Sequence, residues 1–169
     1  MNSIIQEKPS HNKIEFISAA ILIAVTIYGA MKYPNLPQEV PIHFNGAGEA
    51  DAWGDKSSIW AFYGIIIFTF MIQLLVTIHS RNAKPESLRR WSTGYKGLTD
   101  EQIVKMSQYS AVQLSYLNLF LTTILCYIFY QIIRVGEGLA NGLGAWLLPV
   151  LLIGIFVPII NMFRFKARL

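Results

Sequence analysis

Between Leu36 and Lys56 the chain sets His43 among four carboxylates, Glu39, Glu49, Asp51 and Asp55, with Asn45, Trp53 and Lys56 close by. An imidazole beside carboxylates can trade a proton near neutral pH, bind a divalent ion or hold a polar ligand. One His with scattered acids lacks the tight spacing of a metal ligand set, so no metal is assigned. Structural hydrogen bonding and contact with a ligand or peptide are the other two uses. If His43 titrates against its neighbours, the segment responds to external acidity between about pH 5 and 8. No nucleophile elbow, HExxH helix, Walker loop or paired intramembrane acid accompanies it, so the chain is read as a non-enzyme without a cofactor.

These residues must be positioned by their surroundings, which are apolar. Of 169 residues 53% are hydrophobic and 14% charged, and the mean hydropathy is +0.41. Four runs, 14–31, 59–78, 111–133 and 143–163, match the roughly 20 helical residues needed to cross a hydrocarbon core of about 30 Å. Because backbone in lipid must satisfy its own hydrogen bonds, all four are expected to be helices. The expected fold is an all-α integral membrane protein. Four transmembrane helices form two helical hairpins, with a structured extracellular loop between helices 1 and 2. The divisions are a first hairpin with its loop (1–79), a cytoplasmic connection (80–108) and a second hairpin (109–169).

Orientation comes from the basic residues, which are retained on the cytoplasmic side of a membrane. Lys8, Lys13, Arg81, Lys84, Arg89, Arg90, Lys96, Lys105, Arg164, Lys166 and Arg168 fall on one side, and only Lys32, Lys56 and Arg134 on the other. The chain is therefore expected in the cell membrane with both termini cytoplasmic and the His43 loop outside. The net charge of +4 is a topological signal rather than a nucleic-acid surface. No cleavage site follows the first run, because Tyr28 stands where a small residue belongs, so the run is expected to stay as a span. The single Cys126 lies inside the third span, where a small packing role suits it.

Within the spans the only charged residue is Glu15, at the start of the first, where it can reach the headgroups. No intramembrane acid or base is thus expected for ion coupling. Tyr109, Gln113, Tyr116, Phe120, Thr123, Tyr127 and Tyr130 recur at spacings of four and three, one face of the third helix. Such a stripe should turn toward neighbouring helices, with Gln73 its clearest partner and Asn118 slightly off it. Thr99 with Gln102 reads as a capping box that starts a long helix running from Asp100 to Ile133 and protruding into the cytoplasm, a surface open to a protein partner. Pro149 and Pro158 are expected to kink the last span. Gly136, Gly138 and Gly142 make the second outward loop a simple turn.

In the first outward loop, Pro37, Pro41, Gly46, Gly48 and Gly54 are assigned as scaffold. His43, Asn45, Asp51, Trp53 and Lys56 are assigned to ligand binding or locking of the cap, with Trp53 at the membrane boundary. Val40, Ile42 and Phe44 should share one side of an extended segment, and Pro41, His43 and Asn45 the other. The pattern Leu36-Pro37, Val40-Pro41, His43-Phe44-Asn45, Gly48, Asp51, Trp53-Gly54 and Lys56 resembles a bacterial and archaeal domain of unknown function. That domain forms the N-terminal part of SdpI-type immunity proteins. The resemblance covers about a third of the chain, from the first span into the second, and rests on twelve positions in the 21 from Leu36 to Lys56. It implies a multi-span membrane protein related to those that protect a producer cell from a secreted peptide toxin. The chain departs from a full-length immunity protein by having four spans, without room for the larger C-terminal membrane domain.

The leading expectation is a non-enzymatic sensor or binding protein in the lipid bilayer, with immunity against an extracellular peptide as its family-suggested form. A small transporter or channel component is the alternative, using the polar face of helix 3 through Gln73, Gln113, Tyr116, Asn118 and Tyr127. The ligand and the oligomeric state are left open by the sequence.

Overall fold

The computed structural model describes residues 12–91 and 93–166. Lys8 and Arg168 of the charge count lie outside them. Along the chain run α1 (Asn12–Lys32), β1 (Glu39–Phe44), β2 (Ala50–Asp55), α2 (Ser58–Asn82), α3 (Pro85–Trp91), α4 (Asp100–Gly136) and α5 (Leu147–Lys166). Four of the helices, α1, α2, α4 and α5, are long and apolar enough to cross a membrane. The chain is accordingly a multi-pass membrane protein, and the bilayer covers the apolar residues that the fold leaves outside, such as Phe16, Ile23, Phe68, Phe156 and Phe163.

An all-helical expectation is corrected at one place, because β1 and β2 pair as an antiparallel hairpin. Each helix starts and stops where local chemistry dictates. At α4, Thr99 Oγ1 accepts from the Gln102 amide at 3.2 Å while Gln102 Oε1 accepts from the Thr99 amide at 2.9 Å. This capping box launches 37 residues, about 55 Å of helix at 1.5 Å per residue. Pro149 stands in the first turn of α5, where the missing N–H had no acceptor to lose, so it does not interrupt the helix; only Pro158 lies inside it. The connector is tied down by Arg89, whose guanidinium meets Asp100 at 2.6 Å and donates to the Leu98 carbonyl at 2.7 Å.

α4 is the hub, with α1, α2 and α5 all packing on it. Glu15 of α1 meets Ser115 and Lys32 meets Glu137, so α1 and α4 run in the same direction. Tyr63 meets both Thr26 and Phe129 while Arg81 meets Glu15, so α2 runs against them. The core between these three helices joins Leu22, Ile66, Phe70, Cys126, Phe129 and Ile133. On its other side α4 receives α5 through Tyr109 stacked on Phe165 at 4.0 Å and Tyr127 against Trp146 at 5.0 Å. Gly154 of α5 lets the Phe120 ring lie where a Cβ would sit, only 2.1 Å away.

Candidate functional site

The hairpin sits as a cap on the ends of the bundle, and its underside explains its position. Leu36 and Val40 are buried against the last turn of α4, where an added Cβ at Gly136 would meet Val40 at 3.2 Å. Phe44 bridges this core to the smaller apolar cluster of Ile124, Leu143 and Leu147 under the start of α5. The pairing is Glu39 with Asp55, Val40 with Gly54, Pro41 with Trp53, His43 with Ala52 and Phe44 with Ala50, which leaves Ile42 and Asp51 as extra residues on their strands. Two such irregularities break strict alternation. Val40 and Pro41 are consequently both buried while Ile42 is exposed over Gly54, which corrects the expectation that Val40, Ile42 and Phe44 share the covered side.

The assigned residues divide into holders and presenters. Asn45 is a holder: its Oδ1 accepts from the amides of Ala47 (2.9 Å) and Glu49 (3.0 Å), and its Nδ2 donates to Glu49 Oε2 at 3.0 Å. That arrangement closes the hairpin turn around Gly48, which adopts φ +82°. Lys56 is another, with its ammonium 5.2 Å from the centre of the Tyr33 ring and 3.5 Å from the Leu36 carbonyl. Pro41 is buried and Gly54 lies under Ile42, whereas Pro37 is exposed and Gly46 has open space where a Cβ would go. Asp55 ends β2 by accepting from the Ser57 amide at 2.8 Å. Hydrogen bonds from Ser57 hold its carboxyl below its ordinary range.

The presenters are His43, Asp51 and Trp53, joined on the surface by Glu39 and Asp55. His43 Nδ1 lies 2.5 Å from Asp51 Oδ1, with the two side chains 67% and 43% exposed. Asp51, Trp53 and Asp55 alternate outward along β2, and Glu39 stands directly opposite Asp55. Like charges facing each other across two strands oppose the pairing. A row of carboxylate, indole and carboxylate is a surface for a cation, and Trp53 is 48% exposed to receive one. Among the described residues no three metal-ligating side chains converge.

The Arg134–Gly142 segment is more than a turn. Glu49 bridges to Gly142, and the Leu143 amide donates to the Gly48 carbonyl at 2.7 Å. From below, Gln131 Nε2 donates to the Gly142 carbonyl at 2.8 Å and Tyr127 to that of Leu143 at 3.0 Å. At the same end, Lys32 pairs with Glu137 at 2.9 Å.

The intramembrane residues are not one set. Tyr109, Phe120 and Tyr127 of the aromatic stripe face α5, while Tyr116 is 54% exposed and Gln113 is half-buried. Asn118 is fully buried, with its Oδ1 accepting from Thr122 at 3.0 Å, and Gln73, expected to partner the stripe, has its Oε1 buried without a hydrogen-bond partner among the described residues. The buried polar face of α4 is instead Ser107, Ser110, Ser115, Asn118 and Thr122. It meets a pair that the sequence reading left apart, Glu15 at the headgroups and Arg81 in the connection: Glu15 Oε1 lies 2.5 Å from Arg81 Nη2, and Ser115 donates to the same oxygen at 2.7 Å. Glu15 does not reach outward to headgroups; its side chain is only 12% exposed and that of Arg81 17%. An acid and a base thus pair between the helices at the connector end. The signal for them was the run of small and polar residues Ser107, Ala111, Ser115, Asn118 and Thr122 on α4, at spacings of four and three.

Residues 20–67, from mid-α1 through the hairpin into α2, match a family profile described as a domain of unknown function, DUF1648. No curated protein and no solved structure matches the chain.

Proposed function

We propose that the chain is a non-enzymatic membrane binding protein whose cap faces outward and captures a basic, amphipathic peptide, in the way peptide-toxin immunity would require. The observation that carries this reading is the exposed Asp51, Trp53, Asp55 row with Glu39 opposite its end. Alternate residues on a strand lie about 6.6–6.8 Å apart, the same repeat as alternate side chains of an extended peptide. A Lys or Arg over the indole would gain about 0.5–2 kcal/mol, with carboxylates to either side. The depressed carboxyl of Asp55 keeps its charge down to acid pH. His43 holds the Asp51 carboxylate in place, and the bundle below acts as a fixed support.

The test is peptide binding to the full chain in bilayer nanodiscs of zwitterionic lipid. A cationic amphipathic peptide should bind, its Lys→Glu counterpart should not, and Trp53→Ala or Asp55→Asn should weaken binding at least tenfold. Equal binding of both peptides, or no effect of either substitution in a folded protein, would overturn the reading. For immunity itself, the chain should raise survival of a toxin-sensitive cell only while Trp53 is present.

A further inference from the structure

Away from the cap, at the connector end of the bundle, four buried polar atoms from three helices have no hydrogen-bonding partner among the described residues: Glu15 Oε2, Gln73 Oε1, Thr77 Oγ1 and Asn118 Nδ2. Gln73, Thr77 and Arg81 follow one another at i, i+4 and i+8, and so share a face of α2. Ser115, Asn118 and Thr122 do the same on α4. Arg81 and Ser115 both touch Glu15, which fixes the level of the two rows relative to α1. One turn deeper stand Thr77 on α2 and Asn118 on α4, both fully buried. Gln73 lies about 12 Å in from Arg81 along the helix axis. Beyond it the cluster of Leu22, Ile66, Phe70, Cys126 and Phe129 is apolar and close-packed.

We infer that this polar ladder is a hydrated half-channel, entered beside Glu15 and Arg81 at the connector end, holding a file of water as far as Gln73. The chemistry of the atoms selects the occupant. Glu15 Oε2 and Gln73 Oε1 need donors, Asn118 Nδ2 needs an acceptor, and the Thr77 hydroxyl can take either. Water supplies both, and each buried polar group in lipid that lacks a partner is costly, so such groups recruit it. A metal cation fits worse, because the Arg81 guanidinium stands at the entrance and an amide N–H points inward. An apolar occupant would leave all four atoms unsatisfied. Exposure falls along the ladder, since the Glu15 and Arg81 side chains keep 12% and 17% while Thr77 and Asn118 have none, which puts the entrance on the Glu15 and Arg81 side. The ligand class is water and small neutral solutes, and the path stops at the apolar seal.

Cys126, native to that seal and buried, is the internal reference. In the full chain in nanodiscs, Thr77→Cys should be alkylated by iodoacetamide at least tenfold faster than Cys126 of the same molecule, as read by peptide mass spectrometry. Equal reactivity of the two thiols would overturn the proposal. A second measurement stands if the cysteine variant folds poorly. Thr77→Val removes the hydroxyl at constant shape, so a bound water makes it lower Tm by about 2 °C or more, whereas a dry site makes it raise Tm. A rise would refute the hydrated path.

Discussion

At the cap end of the α1–α2–α4 interface, Phe129 fills the space between helices, packed on Tyr63 at 5.7 Å and so close to Gly29 that a Cβ there would lie 2.7 Å from its ring. Toward the other end the same three helices meet through Glu15, Arg81, Ser115, Thr77 and Asn118. Lipid tails are as apolar as the side chains, so burial alone does not hold helices together in a bilayer. The cap end fills the space between helices with a ring, with the Lys32–Glu137 pair at the same end, whereas the connector end puts hydrogen bonds and charge between the helices themselves. Around Phe129 the packing is apolar and aromatic, while Glu15, Gln73, Thr77 and Asn118 each keep a buried polar atom without a partner among the described residues. The two ends therefore respond oppositely to the same kind of substitution, truncating one and making the other apolar.

The largest expected effect comes from breaking the charged end on one side only. Arg81→Met should cost about 3–5 kcal/mol by leaving the Glu15 carboxylate buried without its cation. Adding Glu15→Leu to it should recover most of the loss, since replacing both charges is close to neutral. A double-mutant cycle by reversible unfolding in detergent reads this, and additive losses would show that the pair is not coupled. Next, Phe129→Ala should cost about 3–4 kcal/mol through the cavity it leaves, with no second-site apolar change at the connector end able to restore it. Gly142→Ala should cost about 1–3 kcal/mol, because its Cβ would fall 2.1 Å from the Gly48 carbonyl oxygen. Proteolysis should then reach the hairpin before the connector; a uniform change would dissolve the distinction between the ends.

The smallest effect is that of acid on Asp55. A carboxyl whose folded value is depressed favours the folded state at every pH above its unfolded value, and that contribution disappears as the pH falls through the folded value. Hairpin protection in amide exchange should thus be flat from neutrality to about pH 4 and fall below it, and Asp55→Asn should remove that fall.

The spans, the capping box at Thr99 and the locked segment around His43 were legible because each rests on local chemistry: apolar length, a reciprocal hydrogen bond, prolines and glycines between helices. The connector-end pair was not. A hydropathy reading ends a span at its first charge, so Arg81 fell into the loop although α2 continues to Asn82. The stripe on α4 was read as turning toward neighbouring helices, with Gln73 of α2 its clearest partner, and α4 has three such neighbours. Tyr109, Phe120 and Tyr127 go to α5, Tyr130 goes to Tyr28 of α1, and the small polar face goes to α1 and α2, and spacing alone does not say which residue meets which helix. Strand alternation failed at Ile42 for a comparable reason: the extra residues on the two strands depend on pairing between them, which neither strand records alone.

The hydrogen bond between Gly48 and Leu143 couples two parts of the chain almost a hundred positions apart. Through it the tip of the hairpin is spliced to the residues that lead into α5, the helix whose only extensive packing is on α4. The hairpin tip is thus tied by backbone to the entry of the long helix that has the least packing on its neighbours, so the cap and α5 share one anchor.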